Sequence, residues 1–229
     1  MQTIWLESVD STNEYAKRNA PALLQPTLIV ADAQTNGKGR RGRSFFSPRG
    51  TGLYMTLLLD FGLEPTLLTV SAGVAAADAI ERLTGVSPRI KWVNDLYLDG
   101  KKFGGILAET FRVQGFPYYL VGLGVNLTTE YFPSDLPHAT ALHIDCDRST
   151  LAHRIADEIL ELISYTPQEE ILARYRKRLF VLGKPISYVR GGREIHAVAE
   201  DIDEKARLIV RKADGGRDLL AYGEISIHI

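Results

Sequence analysis

Residues 27–61, TLIVADAQTNGKGRRGRSFFSPRGTGLYMTLLLDF, decide how this chain is to be read. The segment opens with an apolar run, Thr27 to Ala31, and leaves through another, Gly52 to Phe61, and both read as strands. Between them Gly37-Lys38-Gly39-Arg40-Arg41-Gly42-Arg43 sets four cations and three glycines into seven residues, a loop pinned at both ends by sheet. From Ala33 to Leu59 there is no Asp or Glu, so the charges of Lys38, Arg40, Arg41, Arg43 and Arg49 have no local opposition. Glycine lets backbone N–H groups bend closely around a ligand, and arginine supplies flat, forked donors that match phosphate or carboxylate. Phe45-Phe46 follow directly and offer a surface on which a flat ring can stack.

In isolation such a run fits a localisation signal or a nonspecific nucleic-acid patch as well as a small-ligand loop. The charge balance of the whole chain separates them. Lys plus Arg total 27 against 28 acids, a net charge of −1, whereas a protein that lives on a phosphate backbone shows a basic face or a high pI. Concentrated charge on a neutral protein points to one small anion.

A length of 229 residues can bury a proper core and suggests one large domain, expected over residues 1–182, with a small one over 183–229. One cysteine, Cys146, excludes an intrachain disulfide, and Met1 to Glu7 lack the features of a secretory signal, so a cytoplasmic protein is expected. The longest apolar run, Val70 to Ala77, falls far short of the ~20 residues that cross a bilayer, so no membrane association is expected.

Working outward from the basic loop, Thr3 to Leu6 reads as a strand. Asp10-Ser11-Thr12-Asn13-Glu14 offers N-cap candidates for a helix to about Asn19, and Pro21 stops it. Pro65 and Gly85 bracket a helix whose Leu68, Ala72, Ala75, Ala76, Ala79 and Leu83 form one apolar stripe. Pro88 to Lys91, Leu96 to Leu98, Lys102 to Phe111 and Tyr118 to Asn126 read as strands, with hairpin signals at Asp99-Gly100 and Gln114-Gly115. Tyr131 to Asp147 is loop, and Leu151 to Ile163 and Pro167 to Phe180 read as helices. Past Gly183 the pattern changes to short strands, Ile186 to Arg190, Arg193 to Glu200, Ala206 to Arg211, Leu219 to Tyr222 and Glu224 to His228, which fits a small barrel.

Three further stretches carry chemistry. Lys91-Trp92-Val93-Asn94-Asp95 places a lysine at a strand end beside a turn. Alone this is as readily a surface lysine, but with the basic loop it is a point charge able to reach a phosphoryl oxygen or a developing acyl phosphate. Gly104-Gly105 interrupt a good strand, which means either a bulge or a ligand lying on the backbone. Glycines late in a strand, at Gly122 and Gly124, likewise call for something packed against them. The histidines show no metal spacing, and no metal ligands are assigned. Walker, Gly-x-Ser-x-Gly and dinucleotide fingerprints do not occur.

Taken in order, Ser11-Thr12-Asn13, Gln34, Gly37 to Arg43, Phe46-Ser47-Pro48, Lys91 to Asp95, Gly104-Gly105-Ile106-Leu107, Gly122 to Asn126 and Gly223-Glu224-Ile225-Ser226 closely resemble the biotin protein ligases. The likeness runs from about residue 4 to 226. The family usually has Arg where Lys38 stands and Pro where Val93 stands; the first change loses a fork and the second loosens the turn after Trp92.

The resemblance implies an α+β fold, with a mixed sheet flanked by helices as in class II aminoacyl-tRNA synthetases and a small C-terminal SH3-like barrel. It implies ATP-dependent formation of biotinyl-5′-AMP and transfer of biotin to a lysine of a biotin carboxyl carrier protein. ATP with Mg²⁺ and biotin are the substrates, and Lys91 and Arg40 are catalytic. Biotin falls to Ser11, Thr12, Asn13, Gln34, Lys38, Gly39, Arg40, Lys91, Trp92, Gly104 and Gly105. The adenylate falls to Arg40, Arg43, Phe45, Asn94, Lys102 and Asn126. Because the motifs begin at Ser11, a ligase without a DNA-binding repressor domain is expected, and family members often pair as homodimers. A lipoate or octanoate ligase of the same superfamily, and a nucleic-acid module using Arg40 to Arg49, are the competing readings.

Overall fold

The computed structural model describes residues 1–221 and 225–227. Its centre is a seven-stranded mixed sheet. Strands β1 (Gln2–Leu6), β2 (Thr27–Ala31), β3 (Gly52–Leu59), β4 (Arg89–Lys91), β5 (Asp95–Leu98), β6 (Lys101–Val113) and β7 (Phe116–Asn126) take the spatial order β1-β2-β3-β7-β6-β5-β4. Only the β1–β2 pair is parallel. β2 and β3 are buried along their whole length, which is why both read as continuous apolar runs and not as alternating ones.

Helix α1 (Thr12–Asn19) covers one face of the sheet, where Ala16 and Ala20 pack with Ile29, Leu58 and Leu120. The other face carries α2 (Pro65–Thr84), α3 (Arg148–Tyr165) and α4 (Gln168–Arg178). Pro65 opens α2, and Gly85 ends it at φ 75° with its N–H on Glu81 O, as the sequence predicts. The single apolar stripe expected of α2 is not what forms. Residues 67–77 are all buried because α3 and α4 cover its outer side, while Leu83 is exposed. Charges tie the three helices together: Arg174 lies 2.5 Å from Asp78 and 2.7 Å from the buried Glu158, and Arg82 reaches Glu158 at 2.8 Å. The Asp99-Gly100 hairpin has both residues at positive φ, 48° and 76°, as such a two-residue turn requires.

The C-terminal strands β8 (Pro185–Arg190), β9 (Arg193–Ile202), β10 (Leu208–Lys212), β11 (Arg217–Leu220) and β12 (Ile225–Ile227) form an antiparallel sheet in the order β11-β10-β9-β8-β12. This five-stranded antiparallel sheet is the unit expected as a small barrel; among the described residues no pairing joins β11 to β12. Ile186, Tyr188, Ala199, Ile202, Leu208 and Val210 belong to the same buried cluster as the main core, so its apolar face packs on the larger unit. Tyr222, Gly223, Glu224 and His228, which belong to the expected last strands and to the terminal motif, lie outside the described residues.

Candidate active site

Short corners at the ends of the sheet strands supply the site. The turn into α1 brings Ser11, Thr12 and Asn13, all nearly buried, against Gln34 at the end of β2. Gln34 Oε1 accepts from Thr12 N at 2.9 Å and from Thr12 Oγ1 at 3.2 Å, and its Nε2 donates to Ser47 Oγ at 2.9 Å. Thr56, the one threonine of β3, donates to Asn13 Oδ1 at 2.6 Å. Asn13 Nδ2 donates to Glu109 Oε2 at 2.8 Å. Asn13 and Gln34 are therefore largely occupied with each other's supports, and they build the frame of the wall. Ser11 makes no capping bond with its hydroxyl.

The basic loop folds back on itself as a small hairpin. Lys38 bridges Ser44, Gly39 N donates to Arg43 O at 2.8 Å and Phe45 N donates to Gly37 O at 2.8 Å. Arg41 and Gly42 turn the chain at positive φ, 58° and 73°. The sequence predicts a loop whose charges are unopposed, and the fold corrects this. Lys38 Nζ lies 2.9 Å from Glu14 on α1, Arg49 lies 4.0 Å from Glu7, and Arg40 Nη1 donates to Asn94 Oδ1 at 3.1 Å. Phe45 does not stand free for a ligand to find. Its ring lies on Gly124, where an added Cβ would come within 2.4 Å of it, and touches the position of Gly105 at 3.7 Å.

The glycines in β6 and β7 are thus explained by the protein's own side chains. Gly122 admits the Asn13 amide, Gly124 admits Phe45, and a β-bulge opposite Leu96 and Tyr97 sits beside Gly104. Of the two alternatives left open by the sequence, the bulge is present beside Gly104; at Gly105 the nearest side chains are Lys102 at 3.5 Å and Phe45 at 3.7 Å.

These walls enclose a cavity of about 400 Å³. Of the predicted residues, Ser11, Thr12, Asn13, Gln34, Lys38, Gly39, Arg40, Arg43, Phe45, Lys91, Trp92, Asn94, Lys102 and Gly105 line it. Gly104 and Asn126 do not. The Cβ position of Gly104 faces Gly124 O at 2.9 Å and Leu96, away from the opening. Asn126 is 5% exposed and its Nδ2 donates to Thr140 O at 3.1 Å, so it fastens the 139–142 segment behind the cavity.

Lys91 and Arg40, distant in sequence, share this one cavity. Lys91 Nζ lies 5.9 Å over the Tyr97 ring, whose hydroxyl is pushed up to about 12 by burial and further by Asp95, so the ring stays neutral beneath the ammonium. Lys102 Nζ contacts Asp95 Oδ1 at 2.6 Å. The strand end carrying Lys91 is fixed from two sides. Trp92 Nε1 donates to Ala206 O, in the turn between β9 and β10, at 2.9 Å, and the fully buried Tyr175 of α4 donates to Val93 O at 2.9 Å. Tyr175 thus replaces the loosening expected of Val93 with a buried anchor.

Sequence reasoning missed Glu14, Glu109, Thr56, Tyr97 and the segment Asp135 to Ala139, which also line or brace the cavity. Thr56 carried a signal, a lone threonine among the aliphatic residues of a buried strand. The others carried none, because their partners lie far away in the chain. Among the described residues no group of three or more His, Cys, Asp or Glu side chains could hold a metal ion.

Comparison with known proteins agrees with this geometry. Residues 5–126 match the biotin/lipoate A/B protein ligase family and residues 181–227 the biotin protein ligase C terminal domain. The bifunctional ligase/repressor BirA of Escherichia coli (strain K12) is 29% identical over 234 residues, covering 97% of this chain and 73% of that protein. The biotin–[acetyl-CoA-carboxylase] ligase of Paracoccus denitrificans is 30% identical, covering 96% and 98%. The structure of the Aquifex aeolicus biotin protein ligase in complex with biotin and ATP superposes with a TM-score of 0.82 at 28% identity, covering 99% of this chain and 98% of the other. A cavity in which a glycine-arginine hairpin faces a strand-end lysine, matched along the whole chain by these relatives, leaves one assignment: the chain belongs to the biotin protein ligase family.

Proposed function

We propose that this cavity binds biotin and ATP, joins them as biotinyl-5′-AMP with release of pyrophosphate, and passes the biotinyl group to a lysine of a biotin carboxyl carrier protein, the reaction of a biotin–[acetyl-CoA-carboxylase] ligase. The observation that carries this reading is the meeting of Arg40 and Lys91 on one cavity wall system. Biotin's carboxylate has to approach the α-phosphorus of ATP although both are anions. Preorganised cations lower that barrier by stabilising the charge that builds up as the P–O bond to pyrophosphate breaks. Mg²⁺ enters as part of the nucleotide substrate. In the second step the carrier lysine's neutral amine attacks the acyl carbon and AMP leaves; no covalent bond to the enzyme is needed.

Ser11, Thr12, Asn13 and Gln34 form the ureido end. Ser11 supplies the hydroxyl, and the other three hold the frame. Trp92 and Gly105 give the apolar wall, and Arg43, Phe45, Asn94 and Lys102 serve the nucleotide end. Asn126 and Gly104 act behind the lining. The reading divides the chain at residues 182 and 183, with Ile225 and Ser226 of β12 reaching the same cavity from the C-terminal part. No helix among the described residues is long and apolar enough to cross a membrane, which accords with action on a carrier in the cytoplasm. The edge strand β1 leaves room for two copies to pair, which sedimentation with and without biotin and ATP tests.

The deciding assay is transfer of radiolabelled biotin to a carrier domain with ATP and Mg²⁺, with lipoate as competitor. Biotin-dependent labelling that lipoate does not suppress is expected; equal use of lipoate, or no labelling, refutes the reading.

A further inference from the structure

Glu14 occupies the first turn of α1, directly after the Ser11-Thr12-Asn13 wall. Its Oε1 lies 2.9 Å from Lys38 of the basic loop and 3.1 Å from Lys17. Lys17 in turn reaches Glu109 at 2.8 Å, and Glu109 accepts the Asn13 amide at 2.8 Å. On the opposite wall Arg40 donates to Asn94 at 3.1 Å. The loop therefore spans the cavity with a cation seated on each side. Lys38 is the strongest influence holding the Glu14 carboxyl below the usual carboxylate range, with Lys17 adding to it against the cost of burial.

We propose that Glu14 is a positioning residue that latches the basic loop to helix α1 through Lys38, and so sets how slowly the acyl adenylate escapes. The second half of this inference rests on the function proposed above. Lysine suits the task. A single point charge on a flexible stem can leave Glu14 and return without the paired geometry that an arginine fork demands. Both side chains are partly exposed, at 24% for Glu14 and 42% for Lys38, so the contact is weak enough to open on each turnover.

Glu14→Gln keeps the size and removes the charge. Without ligands, the Gly39 and Phe45 amides should exchange about 2- to 5-fold faster in this variant, the range that a partly exposed ion pair carries. Free biotinyl-AMP should appear faster by a similar factor. A packing role would not respond to salt. In the latch, wild-type loop exchange rises as salt goes from about 0.05 to 1 M, and it rises less in the variant. Wild-type rates in Glu14→Gln, or salt-independent loop exchange in the unaltered protein, overturn the latch, and the second measurement requires no variant to fold. If the wild-type protein makes no biotinyl-AMP, the functional reading fails, and the ligand-free exchange still decides whether Glu14 holds the loop.

Discussion

At Gly124 a single added methyl group has no room, because the Phe45 ring already fills the place where it would go, 2.4 Å away. Gly124→Ala should force that ring outward, cost about 1–3 kcal/mol of stability as other overpacked sites do, and raise KM for ATP more than for biotin. Denaturant midpoints and the two KM values check it; an unchanged KM for ATP would remove Phe45 from the nucleotide end. Lys91 and Arg40 belong to the same scale. Lys91→Ala should suppress pyrophosphate release by about 100-fold or more, the scale of losing one preorganised electrostatic contact, with little change in melting temperature. Arg40→Gly should let biotinyl-AMP leak into solution, measurable as free adenylate, because it removes both the cation and the Asn94 contact that seats the loop.

Elements impose a different kind of constraint. The basic hairpin holds itself together by only a few backbone bonds and is tied down at its two sides by Glu14 and Asn94. In the proposed reaction biotin and ATP bring further anionic groups to this hairpin. Hydrogen exchange over residues 34–49 should slow on adding both, and equal rates with and without them would exclude closure. The start of α1 responds to pH. Arg18, bonded at 2.7 and 2.8 Å, holds the Asp10 carboxyl down to about 2 from its ordinary 3.8. A carboxyl lowered by folding stabilises the fold above pH 3.8 and loses that contribution as pH falls toward 2. Both side chains are well exposed, so the loss stays below about 1 kcal/mol. Acid titration by NMR should show Asp10 titrating well below the ordinary aspartate range, and Arg18→Ala should return it to that range.

Across the whole molecule the two sheets share one core, and the residue next to Lys91, Trp92, is bonded across to the C-terminal part. Trp92 reaches from the cavity wall to Ala206, while Arg176 of α4 binds Asp201 at 2.8 Å and Ile202 O at 2.7 Å. The C-terminal sheet therefore holds the strand end from which Lys91 projects. Trp92→Phe keeps a six-membered aromatic ring but removes the pyrrole half of the indole with its N–H, leaving the Ala206 carbonyl without that donor and a small void beside it. About 1–3 kcal/mol should be lost, with faster exchange in the Ile202–Leu208 turn and a fall in kcat that exceeds any rise in KM for ATP. Exchange in that turn matching wild type would show that the two sheets do not communicate through this bond.

Local order along the chain was legible without coordinates. The Pro65 and Gly85 limits of α2, the Asp99-Gly100 turn, the buried runs of β2 and β3 and the glycine-arginine hairpin each follow from residues within a few positions of one another, and local backbone preference and apolar spacing act over that range. Most of the candidate lining was also readable, because its motifs sit at strand ends and turns. What tertiary structure alone decided was partnership. Glu14 with Lys38, Thr56 with Asn13, Phe45 on Gly124 and Trp92 with Ala206 all depend on segments brought together by packing, and no nearby residue announces them. The same holds for Asn126 and Gly104: their place in the motif suggested a lining role, but side-chain direction is fixed by strand register and bulge, which the fold sets.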